Sequence, residues 1–249
     1  MAAEAEPRPA FYALRPGGWR DLVTVLHPPY TVWHLSYVAI GAAAAPEIHA
    51  GRLGAALAAF FLAVGVGAHS LDELHGRPLG TRLSRRALVS LAVCGLGGAL
   101  AIGVAGVLFV SVTLAPLVLL GAFLVLTYNL ELFGARFHTD FWFAAGWGAF
   151  PALTGWWSNA LSVGSTRQVI AAATAVLACY WLSVAQRRLS TPVRELRRRT
   201  ESVSGEQRLT DGTTRPLERA GLAAPLDGAL RALSVAVPLL ALAAVALRV

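Results

Sequence analysis

Lysine is absent from the chain, and thiols and charges are scarce: all 21 basic residues are arginine, 14% of the 249 residues are charged, and there are two cysteines. The missing lysines read as a coding bias rather than as a mechanism. Cys94 and Cys179 sit inside apolar runs, which argues against a disulfide framework and makes them small packing residues. The opening stretch MAAEAEPRPAFYALRPGGWR has no apolar core ahead of a cleavage site, so no signal peptide is expected and the amino terminus is retained. No nucleic-acid reader motif accompanies the arginines, and nucleic acid is not an expected partner.

What the chain has instead is apolar surface. Hydrophobic residues make up 56% of it, and from Ala87 to Tyr128 serine and threonine are the only polar interruptions. Apolar segments fall at about 30–48, 53–68, 87–106, 108–127, 141–157, 168–185 and 229–247, several close to the roughly 20 residues a helix needs to cross a bilayer. The expected fold class is all-α: a polytopic membrane helix bundle of about seven transmembrane helices. Residues 1–28 read as a cytoplasmic amino-terminal segment and 29–249 as one transmembrane domain, with a flexible cytoplasmic loop at 187–228 whose first dozen residues continue the sixth span as a basic helix. Arg15 and Arg20, then Arg77 to Arg86, then Arg136, then Arg187 to Arg199 all fall on one side of the alternating spans, against Arg52 and Arg167 in the opposite loops. The positive-inside rule therefore expects a cytoplasmic amino terminus and an external carboxyl terminus.

Three polar stretches share that basic side. AHSLDELHGRPLGT closes the second apolar segment, and in a helix it sets His69, Asp72 and Glu73 at i, i+3 and i+4, a ligand-like spacing on one face. YNLELFGARFHTD after the fourth segment offers Tyr128, Asn129, Glu131, Arg136, His138 and Asp140, and QRRLSTPVRELRRR after the sixth offers Arg187, Arg188 and Arg194. Ionisable residues at a membrane edge are functional candidates. Arginine there also serves as a topology signal and touches anionic headgroups. His34, inside an apolar segment, is either a pocket ligand or a satisfied core histidine, whereas His27 and His49 read as interface residues.

HPPYTVWHLSYVAIGA in the first segment, the carboxylate cluster closing the second, YNLELFGARFHTDFWFAAGWGAFPALTG entering the fifth and the polar loop after the sixth together resemble the UbiA-type intramembrane prenyltransferases over roughly residues 25–200. The resemblance implies a lipid-accessible cavity open to the cytoplasm, two Asp-rich motifs holding Mg²⁺ against a polyprenyl diphosphate, and an acceptor that attacks the allylic carbon. Asp72 matches an aspartate of the first motif. Ala68 and His69 stand where that motif has Asn and Asp, Gly76 replaces its last aspartate, and Leu189 to Arg194 replace the second motif, with Glu195 the nearby acid. Two of the family's nine spans are also missing.

On this resemblance His69, Asp72 and Glu73 hold a metal or protonate a leaving group. Arg77, Arg82, Arg136, Arg187, Arg188 and Arg194 grip phosphate through bidentate contacts, with His34, Tyr128 and Asn129 lining the substrate. A divalent metal is expected: Mg²⁺ for prenyl transfer, or Zn²⁺, Mn²⁺ or Fe²⁺ if His69, Asp72, Glu73, His75, Glu131, His138 and Asp140 form a mixed ligand set. The leading expectation is an enzyme of prenyl transfer on an isoprenoid or other long-chain lipid. The alternatives are a metal-dependent membrane enzyme for lipid oxidation or hydrolysis, and a non-catalytic lipid-binding protein. Membrane lipid and a hydrophobic small-molecule substrate are the expected partners.

Overall fold

The computed structural model describes residues 8–248, so residues 1–7 of the expected amino-terminal segment lie outside the described residues. It is mostly helical. A short α1 (Trp19–Val25) leads into α2 (Pro28–Ala43), α3 (Ala50–Leu74), α4 (Arg85–Phe109), α5 (Val112–Asn129), α6 (residues 140–160), α7 (Thr166–Arg198) and α8 (Arg219–Ala246). Serine and threonine hydroxyls start several of them, as expected at helix N-termini: Ser84 accepts from Ala87 N in α4, Thr139 from Trp142 N in α6, and Ser165 forms a capping box with Gln168 in α7.

Helices α2 to α8 fall on the seven apolar segments of the sequence, and five of them, α3, α4, α5, α7 and α8, are long and apolar enough to cross a membrane. That is the make-up of a multi-pass integral membrane protein. α2 is only 16 residues long, and α6 is diluted by glycine, proline and four tryptophans. Within the expected loop at 187–228 the first dozen residues continue the sixth apolar segment as a helix. α7 runs on to Arg198, a two-stranded antiparallel hairpin (Glu206–Arg208 with Thr214–Pro216) follows, and α8 begins at Arg219.

α2 is the hub, packed on α3, α6, α7 and α8, while α4 touches α3 and α5 and leaves Val93, Leu100 and Leu108 exposed. Glycine permits the closest crossing, since small residues let two helix backbones approach. A Cβ on Gly155 would stand 2.0 Å from Val38 O, and one on Gly41 would stand 1.9 Å from Ala152 O. The short links reverse direction each time, so one end of the bundle collects the loops at 44–49 and 161–165. There Arg248 donates to Ala45 O and Pro46 O at 2.7 Å and His49 N donates to Asn159 Oδ1 at 2.8 Å. The other end collects the amino-terminal segment, the loops at 75–84 and 130–139, and the hairpin.

Candidate functional site

At that second end the helices part around a cavity of about 220 Å³, and five of the chain's six histidines line it: His27, His34, His69, His75 and His138. α3 adds Asp72, α5 and the loop beyond it add Tyr128, Asn129 and Glu131, and α7 adds Gln186, Arg187, Arg194 and Arg198. The loops after α3 and α5, remote in sequence, thus meet in one site.

Two π-helical segments flank it, Phe61–Ala68 in α3 and Ala145–Ala149 in α6. A π turn bonds five residues apart instead of four and recurs at functional sites. Within the second segment Trp147 O accepts from His34 Nδ1 at 2.8 Å. A carbonyl only accepts, so His34 carries its proton on Nδ1 and keeps Nε2 as the basic nitrogen. His138 is held alike. Its Nδ1 donates to Tyr128 O at 3.1 Å, and its ring stacks on Tyr128 at 4.4 Å. Glu131 lies 3.8 Å from the same nitrogen. Asn129 donates to Val125 O, which leaves its side-chain oxygen as an acceptor.

His27, read from the sequence as an interface residue, stacks on His69 with ring centroids 4.0 Å apart, and the Tyr12 hydroxyl meets its Nδ1 at 2.7 Å. Its backbone is left-handed, with φ of 46°; a non-glycine residue there costs about 1–3 kcal/mol and such strain clusters at functional sites. Among the described residues, His27 Nε2 and His69 Nδ1 are buried without a hydrogen-bond partner. Burial, followed by the neighbouring His69, holds the His27 imidazole well below its ordinary range, and burial likewise raises the Tyr12 phenol. The segment carrying Tyr12 is tied down from α7, where Arg197 donates to Arg8 O at 2.7 Å and Arg198 to Pro9 O at 3.2 Å. Arg197 also pairs with Asp227 of α8. The sequence did carry one signal for His27: it directly precedes Pro28 and Pro29, which fix the entry to α2.

The remaining expected residues lie apart from the cavity or are engaged elsewhere. Glu73 is fully buried, but its carboxylate faces the following turn, accepting from Leu79 N at 3.0 Å and from Thr81 N and Thr81 Oγ1 at 2.9 Å. The expected shared face of His69, Asp72 and Glu73 is thereby divided. Asp140 pairs with Arg187 at 2.8 Å, and Arg187 also lies over the Phe143 ring. Arg77 donates to Thr81 O and Leu83 O of its own loop. Arg82, Arg136 and Arg188 are exposed and line neither the cavity nor the cleft outside it.

That outer cleft, of about 1220 Å³, shares His75, His138, Arg187, Arg194 and Arg198 with the inner cavity. A third space of about 340 Å³ runs between α3, α4, α5 and α6, walled by small residues such as Ala59, Ala63, Gly103 and Gly121. Trp147 lines both this apolar space and the histidine cavity. A polar chamber and an apolar one therefore share a lining residue, the Trp147 indole.

Among the described residues no group of three or more His, Cys, Asp or Glu side chains is arranged to hold a metal ion. Glu73 is committed to its turn and Asp140 to an arginine, which removes two oxygen donors from the expected set. No family model, curated protein or solved structure matches the chain.

Proposed function

We infer that the chain is an integral membrane enzyme that draws a long-chain lipid with an anionic head into the histidine cavity, with prenyl transfer of the UbiA type as its reaction. The observation that carries this reading is the junction at Trp147, where a chamber rich in arginine, histidine and aspartate abuts a chamber lined by alanine, glycine and leucine. An amphipathic substrate matches both, its chain in the apolar space and its phosphates beside Arg187, Arg194 and Arg198. In the reaction the bond between the allylic carbon and the diphosphate oxygen breaks, the acceptor bonds to that carbon, and the acceptor's proton passes to Asp72 or a neighbouring imidazole. Arginines placed where charge develops stabilise the departing diphosphate.

In this reading α2 and α6 also cross the membrane, giving seven spans, and the site faces the cytoplasm. Only Arg52, Arg167 and Arg248 of the 21 arginines stand at the far end of the bundle, which supports that orientation. The test is incubation of purified protein with a prenyl diphosphate, Mg²⁺ and a lipid extract, with diphosphate release as the readout. Turnover lost in Asp72→Asn supports the reading, and undiminished turnover in that variant overturns it. A second reading, metal-dependent lipid oxidation or hydrolysis, draws on the five cavity histidines. It requires stoichiometric transition metal that is lost in a His69→Ala, His138→Ala variant.

A further inference from the structure

The outer cleft shares Arg187, Arg194 and Arg198 with the lipid reading, which leaves Arg8, Arg15, Arg77 and Arg199 of its wall unused. It is walled by the amino-terminal segment, the loop at 75–80 and the last turns of α7, and seven arginines line it against one carboxylate, Glu195, among the described residues. Arg77 and Arg187 are engaged by their own partners. Five others, Arg8, Arg15, Arg194, Arg198 and Arg199, face that single acid. On α7, Arg187, Thr191, Arg194 and Arg198 follow at i, i+4, i+7 and i+11, which is one face of a helix. Arg194 donates to Ser190 O and Thr191 Oγ1, and Arg198 uses Nε on Pro9 O. Among the described residues the terminal nitrogens of Arg198 meet no acceptor.

These arginines differ from simple topology anchors. Arg82, Arg85, Arg86, Arg136 and Arg188 are exposed and lie outside the cleft. Among the described residues none of α4, α5 or α8 borders the cleft. A concave wall of one sign focuses the field and concentrates counter-ions.

We propose that the outer cleft binds a water-soluble molecule bearing two or more phosphate groups, a substrate or product separate from the lipid. The two ligands would meet at the residues both spaces share, His75, His138 and Arg194 among them. The proposal goes beyond the lipid reading and is tested without a lipid substrate, so either can fail alone.

The experiment titrates tripolyphosphate into the protein in nanodiscs of zwitterionic lipid, followed by calorimetry, for wild type and an Arg15→Gln, Arg199→Gln variant. Both substitutions lie on exposed arginines, and an unchanged melting temperature checks that the variant is folded. The expected result is saturable binding at one site that weakens with salt and is about tenfold or more weaker in the variant. Absence of saturable binding, or equal affinity in the variant, overturns the proposal. Nanodiscs containing phosphatidylglycerol separate the two sources of phosphate. Retained binding supports a soluble ligand, whereas loss of binding assigns the cleft to lipid headgroups and overturns it.

Discussion

Glu73→Ala is expected to damage the fold rather than the chemistry. The wild-type carboxylate is fully buried and takes three hydrogen bonds, from Leu79 N, Thr81 N and Thr81 Oγ1. Truncation leaves two main-chain N–H groups and a hydroxyl without their acceptor. Each buried donor so orphaned costs about 1–3 kcal/mol, and partial access of water at the loop brings the sum to about 3 kcal/mol. At roughly 2–4 °C per kcal/mol for a chain of this size, the apparent melting temperature falls by about 6–12 °C. Glu73→Gln keeps one acceptor oxygen but aims an amide N–H at a donor, so about half the loss is expected. The assay is thermal unfolding in mild detergent followed by tryptophan fluorescence, paired with diphosphate release at a temperature where all variants are folded. A Glu73→Ala protein that melts within about 1 °C of wild type refutes the reasoning. So does a Glu73→Gln protein that melts normally yet has lost turnover, which would return Glu73 to the catalytic set.

Gly155→Ala is expected to push α6 off α2, because its Cβ would stand 2.0 Å from Val38 O, whereas Gly97→Ala meets nothing within 4 Å; size-exclusion profiles should show aggregation for the first and a wild-type peak for the second. Arg197→Leu leaves the Asp227 carboxylate buried and unpaired at a cost of about 3–5 kcal/mol, and the Arg197→Leu, Asp227→Leu double variant should regain most of the lost melting temperature. His27 is held well below its ordinary value of 6.5 by burial. The unfolded chain therefore takes up a proton first as pH falls, and the contribution of His27 to stability is present above pH 6.5 and shrinks below it. Melting curves from pH 7.5 to 5 should fall less steeply for His27→Gln than for wild type, and identical slopes would exclude the effect.

The positions of α2 to α8 were legible because apolar run length is a local property, and each run holds a helix. Less legible was what fixes the helix ends. Gln186 to Arg198 is polar and arginine-rich, and its reading as a basic continuation of the sixth span matches α7, but what holds it there, a buried Val193 and the bonds from Arg197 and Arg198 to the amino-terminal segment, consists of long-range contacts with no local signature. The candidate site was half visible. His69, Asp72, His75, Glu131 and His138 could be picked out as ionisable residues at a membrane edge, and the fold gathers them. Helical spacing misassigned Glu73, since the chain turns back at Gly76 and presents Leu79 and Thr81 to it. His27 and Tyr12 were missed because their importance arises from a stacked pair and a hydroxyl contact between separate segments. The π segments at 61–68 and 145–149 likewise have no composition that distinguishes them from ordinary apolar helix.

If the histidine cavity and the apolar space beside Trp147 together hold one long-chain anionic lipid, that lipid should stay with protein purified in mild detergent and be seen by mass spectrometry. Wild type is expected to carry a phosphorylated long-chain lipid enriched over the bulk membrane, and Arg194→Gln to lose about tenfold or more of it. A lipid profile equal to the bulk membrane, or an enrichment that survives Arg194→Gln unchanged, would rule out a shared lipid site.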